Sequence, residues 1–539
     1  MRISKYKQLA ASCLLAFSCS ACAQTEHSFE VSKNLDIFNS LYRELDALYV
    51  DTIDAKKVIG IGIDAMLSNL DPYTEYYSED DMGDLKIMTT GKYGGIGSLI
   101  RMRKDSTIII GEPYEGMPAA EAGLKVGDVI VKVDNKEVTK SMMTSDVSDM
   151  LRGEPGTTFV LTVKRPGEKK NREFKITRKN IKLPAITYTG VRDGIGYINL
   201  TQFTEGCSKE IRKAVINLKE KGAEGLVLDL RNNGGGLLSE AVDIVNLFVP
   251  KGLKIVETKG KVKSANAVYK TKSEPLDTVI PVAVLVNGNT ASAAEIVSGS
   301  LQDLDRATII GVKTFGKGLV QTPRDLPYNG SVKLTTSKYY IPSGRCIQAI
   351  DYKKKRDGVK TEKSDTLDNV FYTRKGRVVR DGGGIMPDIV IKHDTLPNIL
   401  FYLGNDDVLV DWGTKYEQSH KTIAPVADFS ITDDDFADFK KMIKDSNFKY
   451  DRMSEKRLED LKKMAKFEGY YDDAKSEFDA LEAKLVHNID KDLELHKKNI
   501  KKMMADEIIK RYYYQSGSVE ESLKDDEDLS NAIEVLKKK

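Results

Sequence analysis

The stretch VAVLVNGNTASAAEIVSGSL, residues 282–301, decides the fold class of this chain. It begins with the apolar run Val282–Val286, which is typical of a buried strand, passes through the turn residues 287–289 and continues as a helix. The stretch 225–248, GLVLDLRNNGGGLLSEAVDIVNLF, repeats the pattern of an apolar strand, a glycine-rich turn and a helix. Strands that alternate with helices over 195–341 predict an α/β domain.

The composition excludes several classes of protein. The chain has 539 residues, of which 40% are hydrophobic and 30% charged, as in an ordinary soluble globular protein. Its length predicts about three or four domains. The 83 Lys+Arg nearly balance the 81 Asp+Glu. Nucleic acid is therefore not expected as the main partner, because phosphate binding needs a basic excess.

The N-terminus has the pattern of a secretory signal, which predicts a signal peptide over 1–23. Three basic residues precede the short apolar run Leu9–Phe17, and the small residues of Ala21-Cys22-Ala23 follow. We expect an exported protein, periplasmic or at the cell envelope. Lipidation at Cys22, or less well at Cys19, would anchor it to a membrane and is the alternative to simple cleavage.

Only Cys207 and Cys346 lie beyond the signal, and the sequence leaves open whether they pair. The residues provide no metal-binding motif, and no cofactor is expected.

Helices are predicted at both ends of the chain. Leu35, Phe38 and Leu41 recur at helical spacing, and a second helix over 55–70 ends before Pro72. Near the C-terminus, apolar residues predict one long helical face: Phe478, Leu481, Leu485, Ile489, Leu493, Ile500, Met504 and Ile508. This face is interpreted as packing on its own domain, with a homodimer interface as the alternative. The polar stretch Asp351–Arg380 is predicted to be an exposed insertion.

Ser292 is the candidate nucleophile. It follows a strand and a glycine-containing turn, in the first turn of the predicted helix, where unpaired backbone N–H groups can bind a developing negative charge. The alternative is a serine that only caps the helix.

Lys317 is the candidate base. All histidines of the mature chain lie outside 195–341, so a Ser-His pair would need a distant segment folded back. Lys317 lies between two glycines in an apolar, strand-like setting, and a desolvated lysine can act as a neutral base. The alternative is a solvated lysine in a hairpin. A phosphate-binding loop is rejected because Gly318 stands where such a loop needs Ser or Thr.

Several motifs together resemble the carboxyl-terminal (tail-specific) processing proteases. They are Thr290-Ala-Ser-Ala-Ala-Glu295, Gly316-Lys-Gly-Leu-Val-Gln321, Tyr339-Tyr-Ile-Pro-Ser-Gly-Arg345, Leu70-Asp-Pro-Tyr-Thr74 and Leu228-Asp-Leu-Arg-Asn-Asn-Gly-Gly-Gly-Leu-Leu238. In the last motif Gly234 replaces the family's usual proline. The likeness runs from about Leu35 to Asp388 and does not cover the region after Ala424.

The resemblance implies a set of roles for residues of this chain. Ser292 would be the nucleophile, Lys317 the general base, and Gln321 would hold the lysine amine. The N–H of Gly235 or Gly236, with that of Ala293, would form the oxyanion hole. Asp303 matches a position that sometimes has a supporting role.

The family also has a PDZ domain, and the sequence is consistent with one here. Residues Gly94, Gly95, Ile96 and Gly97 can present N–H groups to a peptide's terminal carboxylate. Strand 98–101 would pair with the peptide, and Val147 and Leu151 would line the site of its last side chain. A small β domain without a ligand is the alternative.

The resemblance implies a crotonase-like (ClpP/crotonase) α/β protease core with an inserted α+β PDZ domain. The expected domains are a signal over 1–23, an N-terminal helical region over 24–87, the PDZ domain over 88–177, the core over 178–400 and a helical C-terminal extension over 401–539.

The predicted function is that of a secreted serine endopeptidase that binds protein substrates by flexible, apolar C-terminal tails. An inactive PDZ scaffold that binds C-termini, or an acyl-thioester enzyme of the crotonase type, are the alternatives.

Overall fold

The structure is a computed structural model that describes residues 27–356, 369–393, 395–446, 448–485 and 488–538. The predicted signal, including Cys19 and Cys22, and residues 357–368 of the predicted insertion lie outside these ranges. No helix within the described ranges is long and apolar enough to cross a bilayer. Cys207 and Cys346 are both free thiols.

The N-terminal region contains helices α1 (27–48), α2 (Ala55–Ser68) and α3 (Met82–Thr90) and the short strand β1 (Glu75–Tyr77). The predicted helices are present, and α2 ends before Pro72. The apolar residues of α1 are largely solvent-exposed. The helical spacing therefore predicted the element correctly but did not show whether its apolar face packs within the chain.

The predicted PDZ segment folds as an antiparallel sheet with order β3-β4-β5-β7-β8, in which β6 pairs with β5. A separate antiparallel pair, β2 with β9, joins the two ends of this segment. The strands are β2 (Lys92–Gly95), β3 (Ser98–Met102), β4 (Ile108–Pro113), β5 (Val129–Val133), β6 (Lys136–Glu137), β7 (Thr158–Lys164), β8 (Arg172–Thr177) and β9 (Lys179–Lys182). Helices α4 (Pro118–Glu121) and α5 (Thr144–Leu151) complete it, and Val147 is fully buried in its core.

A six-stranded sheet with order β10-β11-β12-β15-β16-β21 forms the predicted α/β unit, and all its pairs except β10 with β11 are parallel. Its strands are β10 (Ile186–Arg192), β11 (Ile195–Leu200), β12 (Gly225–Asp229), β15 (Val282–Val286), β16 (Thr308–Gly311) and β21 (Ile389–Val390). Helices α6 (Cys207–Glu220), α7 (Leu238–Asn246) and α8 (Ala293–Asp303) belong to the main core cluster on one face. The α/β prediction is confirmed.

A second sheet, with order β1-β18-β13-β14 and β17 paired to β18, lies beside this unit. Its remaining strands are β13 (Lys254–Gly260), β14 (Ala267–Lys270), β17 (Leu319–Asp325) and β18 (Ser331–Tyr340). The predicted insertion contains α9 (Tyr352–Arg356) and the hairpin of β19 (Val370–Tyr372) and β20 (Val378–Arg380). The hairpin is not wholly exposed, because Thr373 is buried and Arg374 N–H donates to the carbonyl of Asp303.

The C-terminal region is helical. Its helices are α10 (Asn398–Asn405), α11 (Asp407–Ser419), α12 (Asp433–Asp445), α13 (Met453–Glu468), α14 (Lys475–Leu485), α15 (Ile489–Leu495), α16 (Lys497–Ser522, interrupted at Tyr514) and α17 (Glu527–Lys537). The prediction of one continuous helical face is wrong, because the Asn488 side chain caps a new helix there by accepting from the N–H groups of Asp490 and Lys491. Leu481 is exposed, whereas Leu493 is buried in a core cluster with Trp412.

Candidate active site

One cavity of about 500 Å³ contains most of the predicted catalytic residues. Its polar walls come from the turn 234–236, the start of α8 and the segment that leads into β17, and they include Ser292, Lys317 and Gln321. Leu85 and Met88 of α3 form part of its apolar wall. The fold thus brings together residues from Leu85 to Tyr339, which lie about 250 positions apart in the chain.

Ser292 occupies the N-cap position of α8 with a strained backbone, φ +56° and ψ −116°. A serine seldom adopts positive φ, and such strain persists only where the surrounding structure enforces it. The hydroxyl does not cap the helix: no described residue forms a hydrogen bond with Ser292 Oγ. The oxygen is therefore available to a ligand in the cavity.

The turn over 234–236 lies against Ser292. A Cβ at Gly235 would lie 2.8 Å from Ser292 Cβ, so only glycine permits this approach. The N–H of Gly235 already donates to Asn233 Oδ1 at 2.8 Å. Among the described residues, the N–H groups of Gly236 and Ala293 have no acceptor. Of the three predicted oxyanion-hole residues, these two keep a free donor and Gly235 does not.

Gly234, which replaces the proline usual in the resembled family, has open space around it. A Cβ at this position would meet no atom within 4 Å. The substitution therefore relieves no steric conflict at that Cβ position.

Lys317 is half-buried and is flanked by glycines for a steric reason. A Cβ at Gly316 would lie 2.6 Å from Ala349 Cβ, and one at Gly318 would lie 2.7 Å from the backbone nitrogen of Gln348. The ammonium group lies 4.3 Å from the centroid of the Tyr73 ring. No described carboxylate forms an ion pair with it.

The pKa of Lys317 is lowered from its ordinary value. Burial is the largest cause, because it disfavours the charged form, and the positive charge of Lys333 adds to it. Nearby carboxylates, of which Glu75 acts most strongly, oppose the shift. The environment therefore favours the neutral amine relative to a solvated lysine.

Gln321 lines the cavity, but its predicted contact is absent. Its Nε2 donates to Thr335 Oγ1 at 3.1 Å, and no hydrogen bond joins it to Lys317 in this part of the structure. The face of the Tyr73 ring contacts the lysine amine instead.

Asp303 lies outside the cavity, at the opposite end of α8 from Ser292. Its carboxylate pairs with Arg345 at 2.8 Å and accepts from the N–H of Ser343 at 3.0 Å, and both charged side chains are almost fully buried. Burial raises the pKa of Asp303, against the effect of Arg345. Its role in this structure is to hold the turn at 343–345, not to contact the reacting groups.

Glu295 is a further residue of the site. It ends the sequence motif at 290–295, but no role was predicted for it. Its carboxylate is fully buried and accepts from the N–H of Ser292 (2.9 Å), of Lys317 (2.9 Å) and of Gly316 (2.8 Å) and from Thr314 Oγ1 (2.5 Å). Burial raises its pKa, and these four donors oppose the rise. One carboxylate therefore fixes the backbone of both Ser292 and Lys317. An acid three residues after an N-cap serine was the available signal.

Replacing Glu295 with glutamine should lower the free energy of unfolding by about 3 kcal/mol, because buried N–H groups would face an amide NH₂ instead of a carboxylate oxygen. Urea denaturation would measure the loss. Glu534→Gln, an exposed charge on α17, is the matched control and should change the free energy little. A loss no larger than that of the control would contradict the bridging role of Glu295.

Two further polar residues of the cavity wall lie on β18. Lys333 lines the cavity and forms an ion pair with Glu75, and the hydroxyl of Tyr339 donates to the carbonyl of Ser292 at 3.2 Å. Neither was predicted to be a site residue, because each reaches the cavity only through the pairing of β18 with its neighbours.

The predicted peptide site of the PDZ segment corresponds to a second cavity, of about 360 Å³, between β3 and α5. Gly95, Ile96 and Leu151 line it, whereas Gly94, Gly97 and Val147 do not. Gly97 has φ +68° in the turn before β3, and Val147 is fully buried in the core. Ser145 and Ser148 of α5 line the cavity together with Leu151, in place of the predicted Val147.

Three family models match the chain. The model of peptidase family S41 matches 194–359, that of the PDZ domain matches 109–165, and that of the C-terminal helical domain of probable PDZ-proteases matches 399–536.

Known proteins are similar over more than half of the chain. A carboxy-terminal-processing protease of Bartonella bacilliformis is 39% identical over 330 residues, which cover 60% of this chain and 75% of that protein. The carboxy-terminal processing protease CtpA of Bacillus subtilis is 36% identical over 314 residues, which cover 58% of this chain and 66% of that protein. A solved structure of the photosystem II D1 C-terminal processing protease is 29% identical, covers 66% of this chain and 87% of its own, and has a TM-score of 0.36.

Proposed function

The chain belongs to the carboxy-terminal-processing proteases of peptidase family S41, which are serine-type peptidases, and from this premise we propose that Ser292 and Lys317 form its catalytic dyad. The observation that carries the proposal is the shared carboxylate of Glu295, which binds the backbone of both residues at one cavity. The lowered pKa of Lys317 and the free hydroxyl of Ser292 support it. The crotonase-like description of the core is part of the same proposal.

In the first half-reaction, neutral Lys317 Nζ removes the proton from Ser292 Oγ as the oxygen attacks the carbonyl carbon of the scissile peptide bond. The negative charge that develops on the carbonyl oxygen is stabilised by the N–H groups of Gly236 and Ala293. Protonated Lys317 then gives its proton to the leaving amine, the C–N bond breaks, and an acyl ester remains on Ser292.

In the second half-reaction, Lys317 removes a proton from a water molecule that attacks the ester. The tetrahedral intermediate uses the same two N–H donors. Lys317 returns the proton to Ser292 Oγ as the C–O bond breaks, which releases the new C-terminus and restores the enzyme.

The PDZ domain is proposed to bind the free C-terminus of the substrate. The turn at Gly95–Ile96 would receive the terminal carboxylate, β3 would pair with the peptide, and the cavity beside α5 would take an apolar side chain. Export directed by residues 1–23 completes the proposal, with lipidation at Cys22 as its alternative.

The function is tested with a protein that carries a flexible apolar tail, prepared with a free and with an amidated C-terminus. Removing the carboxylate should lower kcat/KM about 10- to 100-fold, since hydrogen bonds to a charged group contribute about 1.5–3 kcal/mol. Ser148→Tyr, which fills the PDZ cavity, should do the same, whereas Asp149→Tyr on the exposed side of α5 should not.

The outcomes separate the parts of the proposal. Equal cleavage of both tails would contradict tail capture but leave the protease intact. Binding of the tail without cleavage of any substrate would contradict the protease proposal and favour an inactive scaffold.

A further inference from the structure

The last helix of the chain packs against the catalytic sheet. Leu529, Ala532, Ile533 and Leu536 of α17 form one buried cluster with residues of the sheet face opposite α6–α8, among them Val227 and Leu285. These sheet residues belong to β12 and β15, the two strands that lead into the glycine turn and into the turn before Ser292. The C-terminal helix therefore forms part of the catalytic unit.

The start of α17 also contacts the chain just before the glycine turn. Arg231 Nη2 donates to Asp526 Oδ2 at 2.6 Å, and Nη1 donates to Asp526 Oδ1 at 3.1 Å and to Asp528 Oδ2 at 3.0 Å. The remaining donors of the guanidinium bind Asp229 at the end of β12. His393 Nε2 lies 3.0 Å from the other oxygen of Asp528.

The ion cluster is well shielded from solvent. The side chains of Asp526 and Asp528 are 8% and 3% exposed, and that of Arg231 is 19% exposed. Burial opposes the charge of Arg231, but the carboxylates outweigh burial and raise its pKa. Charge-assisted, bidentate contacts of this kind fix the direction of a guanidinium as well as its position.

The turn that follows Arg231 is held on its other side by the segment before Ser292. The N–H of Asn232 donates to Asn287 Oδ1 at 3.0 Å, and the carbonyl of Asn233 accepts from the N–H of Ala291 at 2.9 Å. The segment that carries the N–H of Gly236 thus has three sets of contacts. Arg231 binds the start of α17, Asn232 and Asn233 bind the turn 287–291, and the neighbours of Gly236 form hydrogen bonds with Phe203.

We infer that Asp526 and Asp528 are positioning residues for catalysis, which act through Arg231 to hold the 232–236 turn and its oxyanion donor. This inference rests on the proposed function of the site. It assigns to the C-terminal helical domain a contribution to transition-state stabilisation, although neither aspartate lines the catalytic cavity.

The test compares Asp526→Asn, Asp528→Asn and the double variant with Glu534→Gln, which removes an exposed charge from the same helix. In the full-length enzyme we expect kcat to fall about 10- to 100-fold for the double variant, because a small displacement of a catalytic donor has an effect of this size, with KM unchanged. Glu534→Gln should have wild-type kinetics.

A second readout separates positioning from stability. A peptide boronic acid forms a tetrahedral adduct with a serine nucleophile, and its affinity should weaken in the aspartate variants in parallel with kcat, at a temperature where circular dichroism shows all variants folded. If a neutral variant does not fold, Asp526→Glu keeps the charge but displaces the guanidinium, and the same comparison applies to it.

Folded variants with wild-type kcat and wild-type boronate affinity would overturn the inference while the proposed function stands. A wild-type enzyme that neither cleaves peptides nor binds the boronate would instead mean that the proposed function itself has failed.

Discussion

Replacing Ser292 with alanine should lower kcat by about 10⁵- to 10⁶-fold, because no covalent intermediate can then form. Alanine keeps the Cβ and therefore the strained backbone at this position, so the fold should be retained. Cleavage of a tail-bearing protein, followed by mass spectrometry, measures the loss.

Ser298→Ala is the matched control for this prediction. Ser298 lies on the same helix, is buried, and its hydroxyl donates to the carbonyl of Ala294 at 2.9 Å without facing the cavity. It should retain wild-type kcat. An alanine variant at 292 that kept more than about a hundredth of wild-type activity would mean that another group attacks the peptide bond.

Replacing Lys317 with methionine should lower kcat by about 10⁴-fold or more, because it removes the proposed base that takes the proton from Ser292. Lys317→Arg should not restore activity, since a guanidinium stays protonated at any working pH. Lys313→Met, at an exposed position four residues earlier, should behave as wild type.

We expect the Lys317→Met variant to be more stable than wild type, although it is less active. The folded-state pKa of the lysine is lowered, so at neutral pH the unfolded chain holds its proton more readily than the folded one. Methionine removes this penalty, and we expect a higher melting temperature than that of wild type at pH 7. A variant that loses activity only because it unfolds would have a lower melting temperature.

The elements around the site could be predicted from the sequence because their signals are local. The strand Val282–Val286 is an uninterrupted apolar run, and the glycines at 235, 236, 316 and 318 mark places where a Cβ would collide with the backbone or a neighbouring side chain. Local patterns of this kind depend on few long-range contacts.

The details that the sequence could not give depend on residues distant in the chain. Glu295 contacts Lys317 only because the loop 314–317 folds onto it. Asp303 pairs with Arg345, which lies 42 residues later, and does not line the cavity. The packing of α17 against the catalytic sheet was not predicted, because it joins segments that lie far apart in the chain.

In the proposed mechanism Lys317 acts as an uncharged amine, and the pH dependence of kcat/KM tests this protonation state. A neutral base predicts that kcat/KM rises with pH and levels off at a pKa below 10.5. Lys333→Gln removes a positive charge that lowers this pKa and should move the rise to higher pH, whereas Glu75→Gln removes a negative charge that raises it and should move the rise to lower pH. If kcat/KM rises at the same pH in both variants, or if the rise persists in Lys317→Met, Lys317 is not the base.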